Sequence, residues 1–234
     1  MTKDTNIKQI QKFFYITFIF SLGTFLIELC LSAFIKFSLY QEDGIVENLT
    51  AIIFLCSGII GLFCFSQWPN KHPNRWIPLS IFAIGVLGFL DEISFGERIF
   101  RWKPAEFRGD PIDAIHDYLF FAYRLLIDSF TKKQLLSAAA IIILCTGMLC
   151  FRYFPKIKNT WLYIKMSPPL QFMSLAFLFI GIASVIDLEF LGHMDFIYAF
   201  EEIFELTAGW AIFCSAFAQI IEIKTIKIKS AQIS

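Results

Sequence analysis

Apolar runs about as long as a bilayer is thick dominate this chain and leave it few ways to fold. A hydrocarbon core of about 30 Å takes about 20 helical residues to cross. Six segments reach or approach that length, at residues 13–37, 45–68, 76–97, 134–151, 170–190 and 196–221. Hydrophobic residues make up 57% of the chain, 29 of them phenylalanine, against about 45 to 50% in a soluble domain. Pro69, Pro73, Pro155, Pro168 and Pro169 fall in the connections, where helix breakers belong. The expected fold is all-α: a polytopic membrane helix bundle of six transmembrane helices plus one amphipathic helix on the outer surface, forming a single integral membrane domain over residues 1–234.

The charges give that bundle a direction. Basic residues cluster at the N-terminus (Lys3, Lys8, Lys12), in the second loop (Lys71, Arg75), in the fourth (Arg152, Lys156, Lys158, Lys165) and in the tail (Lys224, Lys227, Lys229). With six spans all of these share one side, which the positive-inside rule makes cytoplasmic. The expected location is therefore the cell inner (plasma) membrane, multi-pass, with both termini in the cytoplasm. Trp68, Trp76 and Trp161 then fall at the inner interface. The first apolar run continues from Phe13 to about Tyr40 without a small-residue cleavage site, so it reads as an anchor. The six cysteines all lie inside apolar runs and read as small buried hydrophobes. No nucleic-acid footprint is visible, and membrane lipid is the expected neighbour; the oligomeric state is not legible.

The third loop carries both signs of charge. Asp110-Pro111 followed by Asp113 has the form of a helix start, with an N-cap, a first-turn proline and an acid near the dipole. Ile112, Ile115, Leu119, Phe120, Tyr123, Ile127 and Phe130 then recur at helical spacing, with Asp113, His116, Asp117, Arg124 and Asp128 opposite. Residues 111–130 are thus expected to form an amphipathic helix at the outer surface.

The functional signal lies in the acids. Leu90-Asp91-Glu92-Ile93-Ser94-Phe95-Gly96-Glu97-Arg98 ends the third apolar run with carboxylates at membrane depth. Such groups cost about 2.5 to 3.5 kcal/mol each at a helix centre and by default mark function. At a rise of about 1.5 Å per residue, Glu28, Glu47, Glu92, Asp187, Glu201, Glu202 and Glu205 all fall in one outer layer. On the third span, Asp91, Ser94 and Arg98 share one face and Glu92 and Gly96 another. Carboxylates so crowded cannot all ionise without compensation from protons, a cation, or Arg98, Arg101 and Arg124. A structural network of acids and arginines that holds the helices in register is the bland alternative. His116, in Asp113-x-x-His116-Asp117, is the best-placed imidazole, because a neighbouring carboxylate can orient it.

From Asp91 to Phe100 the chain resembles a group of bacterial polytopic membrane proteins with no assigned activity, whose motif reads like Glu-Glu-Ile-Ser-Trp-Gly-Gln-Arg. The resemblance extends to Glu42-Asp43-Gly44-Ile45-Val46-Glu47-Asn48-Leu49-Thr50-Ala51, to His116 and to Glu201-Glu202-Ile203-Phe204-Glu205-Leu206. It departs at Asp91, Phe95 and Glu97, where that motif has Glu, Trp and Gln. Two enzyme families are more distant analogies. Alkaline ceramidase-like hydrolases hold zinc with three histidines, and only His116 and His193 could reach the outer layer here. CAAX-type endopeptidases place an arginine four residues after a Glu-Glu pair, whereas Arg98 stands six after Glu92.

Three functions are compatible with these residues. The first is an enzyme acting on a lipid or lipid-linked substrate, with Glu92, Glu202, Glu205, Asp91 and His116 as catalytic groups. Arg98, Arg101 and Arg124 would bind its substrate, and Glu47, Glu92, Glu202, Glu205 and His116 would hold a divalent metal ion. The second is a cation- or proton-binding transporter, against which stand inner half-spans that read as almost purely apolar. The third is a non-catalytic assembly subunit or sensor that docks a partner through 111–130.

Overall fold

The computed structural model describes residues 3–32, 44–68, 73–94, 100–101, 105–107, 110–112, 121, 125, 129, 131, 134, 162–187 and 195–233. They fall into two units: residues 1–103 with 168–234, and residues 104–167. The first unit is helical throughout. It contains α1 (Lys3–Ser32), α2 (Ile45–Gln67), a 3-10 turn (Pro73–Arg75), α3 (Trp76–Glu92), α4 (Pro168–Asp187) and α5 (Asp195–Ile233).

Three helices among the described residues are long and apolar enough to cross a membrane: α2, α4 over Pro168–Ile186, and α5 over Ala199–Ile226. They are compatible with an integral membrane protein; six crossing helices are not supported. The expected third span at 76–97 is the clearest correction. α3 has 17 residues and ends at Glu92, giving it a length of about 26 Å, short of a full crossing. Its end has a local cause, since Ser94 takes a φ of 48°, left-handed backbone that a helix cannot continue through. The expected span at 134–151 lies outside the described residues except for Gln134, and residues 33–37 of the first are outside them too.

Glycines decide how α2 and α3 meet. A Cβ on Gly85 would come within 2.5 Å of the Gly58 nitrogen and 2.6 Å of the Phe54 carbonyl oxygen. One on Gly61 would lie 2.7 Å from the Phe82 nitrogen, and one on Gly88 2.8 Å from the Phe54 ring. The two backbones touch because these positions have no side chain, the packing that small residues permit in membranes. The pairs Phe54 with Gly88, Gly58 with Gly85 and Gly61 with Phe82 also show that α2 and α3 are antiparallel.

α5 is the hub, packing against α1, α2, α3 and α4. Near its start, Val46 and Ile53 of α2 are buried with Ala199, Ile203 and Leu206. Farther along, Cys64 and Trp68 are buried with Ile223. Both positions advance together, so α2 and α5 run parallel. α4 runs the other way, with Phe179 stacked on Phe204 at 5.9 Å and Ser215 bonded to the Pro169 carbonyl. α1 matches α4 in direction, since Phe13 meets the Trp210 ring at 5.6 Å and Phe18 stacks on Phe179 at 6.1 Å.

The second unit contains the other correction. Asp110 and Pro111 do not begin a helix: Asp110–Ile112 is a strand (β2), antiparallel to β1 (Ala105–Phe107). The register pairs Ala105 with Ile112, Glu106 with Pro111 and Phe107 with Asp110. Beyond it, residues 121, 125 and 129 are helical, with Phe121 buried and Leu125 exposed. Thr131 starts a further turn, where its hydroxyl and backbone N–H both donate to Gln134 Oε1 at 2.9 Å.

Candidate functional site: a carboxylate cluster at one end of the helices

The helix directions sort the charges of the first unit. The antiparallel α2–α3 crossing sets the end of α3 beside the start of α2, and the parallel α2–α5 packing brings in the start of α5. Glu47, Asp91, Glu92, Glu201, Glu202 and Glu205 therefore occupy one end of the helix set. The backbone positions of Glu28, late in α1, and Asp187, last in α4, lie toward the same end. Lys8, Lys12, Arg75 and Lys224 lie toward the other. The unit is electrically polarised along its helices.

Within the acidic end the closest grouping is between α3 and α5. Glu205 feels like charge from Glu92, then Glu202, Glu201 and Asp91. Glu92 is buried, at 7% exposure, while Asp91, Glu201, Glu202 and Glu205 are half-buried. On α5, Glu201 and Glu202 precede Glu205 by one helical turn and so project toward the same side. On α3, Asp91 and Glu92 close the last turn, where the helix dipole already presents about half a negative charge. The carboxylates thus crowd against one another and against that dipole. Glu47, Asp91, Glu92, Glu201 and Glu202 are each engaged with neighbouring groups, so the cluster is wired into its surroundings.

The other sequence-derived candidates divide into two groups. Arg101 is described, exposed, and in left-handed backbone with a φ of 53°. Arg98, Arg124 and His116 lie outside the described residues, as do Gly96 and His193. Asp91 and Ser94 do not continue one helical face, because α3 stops at Glu92; the part of the expected face at Arg98 lies outside the described residues. Carboxylate oxygens have the right chemistry for a hard divalent cation. Among the described residues, however, no three His, Cys, Asp or Glu side chains are disposed to hold a metal ion.

A second polar group sits toward the basic end. Trp68 is 3% exposed, and its indole N–H donates to Gln219 Oε1 at 3.1 Å. Gln219, fully buried, donates in turn to Glu222 Oε2 at 3.4 Å. Ser215 donates to the Pro169 carbonyl at 2.8 Å. At the 3-10 turn beside α3, the Arg75 guanidinium lies 4.2 Å over the Phe65 ring. Ser215 and Gln219 are neutral residues in an apolar run, so composition does not reveal them. Their i, i+4 spacing, continued to Glu222, was the one available signal.

No family model, curated protein or solved structure matches the chain.

Proposed function

We propose that this is a multi-pass protein of the bacterial plasma membrane that works by holding protons among Asp91, Glu92, Glu201, Glu202 and Glu205. Its basic helix ends would face the cytoplasm, as the positive-inside rule favours. The observation that carries this reading is the gathering of Asp91 and Glu92, at the end of α3, with Glu201, Glu202 and Glu205, near the start of α5, with Glu92 buried. Carboxylates so placed relieve their repulsion by sharing protons or by taking up a cation. Proton exchange needs no other group, whereas hydrolysis of a lipid ester needs a positioned nucleophile or activated water.

A divalent cation would use the same oxygens, chiefly those of Glu92, Glu202 and Glu205. The proton-holding function assigned to the cluster does not require one. Infrared difference spectroscopy of the purified chain tests the proposal. At neutral pH, protonated carboxylic acid should give its carbonyl band, and the band should weaken in Glu205→Gln and Glu92→Gln. Fully ionised carboxylates in the unmodified chain would overturn it.

A further inference from the structure

Arg75 closes the 3-10 turn before α3 and stands apart from every acid on the two helices beside it. The acid of α2 is Glu47, in its first turn, and those of α3 are Asp91 and Glu92, in its last. Both positions are at the opposite end of the antiparallel pair, and residues 68–75 contain no acid. The Phe65 ring holds the guanidinium instead, with its centroid 4.2 Å away. A guanidinium over a ring presents its face to the ring and leaves its N–H donors, which lie in its own plane, to find acceptors elsewhere. The Arg75 Nε is buried and has no acceptor among the described residues. A buried donor on a charged group without a partner calls for an explanation.

The surface that continues from Arg75 is apolar. Trp76, Leu79, Ala83 and Leu87 are all exposed, and spacings of three, four and four residues put them on one face of α3. Pro78, Ile81 and Gly85, which pack on α2, are buried. From Trp76 to Leu87 the rise is about 17 Å, close to half of a hydrocarbon core and so to the depth that the acyl chains of one leaflet fill. Trp76 lies at the Arg75 end of this stripe, where an indole suits the level of the headgroups.

We propose that Arg75 and the exposed face of α3 form a binding site for an anionic phospholipid. The phosphodiester accepts hydrogen bonds from the edge of the guanidinium, which presents donors side by side for such a group. The acyl chains lie along Trp76, Leu79, Ala83 and Leu87. A bare anion would answer Arg75 and leave the stripe uncovered, whereas a lipid satisfies both, and the anionic lipids of a cytoplasmic leaflet are drawn to basic groups at its surface. The site is independent of the proton-holding cluster, which occupies the other end of α2 and α3.

Native mass spectrometry of the full chain in detergent, titrated with phosphatidylglycerol or with phosphatidylcholine of the same acyl chains, tests the site. The unmodified chain should retain phosphatidylglycerol about tenfold more tightly, the ratio expected from one charge-assisted contact, because the choline cation offsets its own phosphate. Arg75→Gln should bind the two lipids equally, and Arg75→Lys should recover part of the preference. Leu79→Asn should weaken both lipids and keep the preference. Phe65→Leu, which leaves the charge but removes the ring that holds it, should narrow the preference and is the readout if Arg75→Gln does not fold. Equal retention of the two lipids by the unmodified chain would overturn the site, as would a preference unchanged in whichever of Arg75→Gln and Phe65→Leu folds. Displacement of bound phosphatidylglycerol by millimolar inorganic phosphate would overturn the assignment to a lipid.

Discussion

The two ends of α5 handle polarity in opposite ways. Near its start, Glu201, Glu202 and Glu205 meet Asp91 and Glu92, and like charge faces like charge. Farther along, a single carboxylate, Glu222, receives a hydrogen bond from Gln219, which accepts one from Trp68. The second arrangement pairs each donor with an acceptor, as buried polar groups require. The first crowds carboxylates together, although Asp91, Glu92, Glu201 and Glu202 each also engage neighbouring groups. On the proton-holding proposal, that end of α5 gains and loses protons while the other holds helices together.

Substitutions should separate the two ends, in descending order of effect. The largest is expected from Gly85→Ala, which puts a methyl group against the Gly58 backbone where no side chain can yield. It should cost about 3 kcal/mol, the upper range for overpacking, and should also weaken the carboxylic acid band, because the α2–α3 crossing delivers Asp91 and Glu92 to α5. Thermal unfolding in detergent measures the first effect and infrared spectroscopy the second. Gln219→Leu comes next, at about 2 kcal/mol, because it leaves the Trp68 N–H buried without an acceptor. That loss should leave the band unchanged; a weakened band would mean the ends are coupled mechanically and the contrast between them is false. Ser215→Ala, which removes one bond to the Pro169 carbonyl, should cost about 1 kcal/mol in the same unfolding assay.

What the sequence makes legible follows the strength of each local signal. α2, α4 and α5 are readable because long apolar runs leave a helix few alternatives, although Pro168 and Pro169, read as part of a connection, form the first turn of α4. The end of α3 is not readable, since Ile93 and Ser94 carry no stop signal and the left-handed turn falls on a serine rather than a glycine. Asp110-Pro111 misleads for a different reason: Asp-Pro suits a helix start, but cross-strand pairing with Glu106 and Phe107 takes both residues. That acids gather at one depth can be computed from helical rise alone. That Asp91 and Glu92 meet Glu201, Glu202 and Glu205, while Trp68 bonds to Gln219, depends on how helices rotate against each other, and uncharged residues in an apolar run give no warning of it.

The glycine contact between α2 and α3 also limits what can move. With the Gly58 and Gly85 backbones in contact and the Phe54 ring against Gly88, neither helix can roll or slide without climbing over the other. Asp91 and Glu92 are therefore carried on a locked pair. Any change in the gap between those carboxylates and Glu205 falls to α5, whose turning would reset the spacing of the acids.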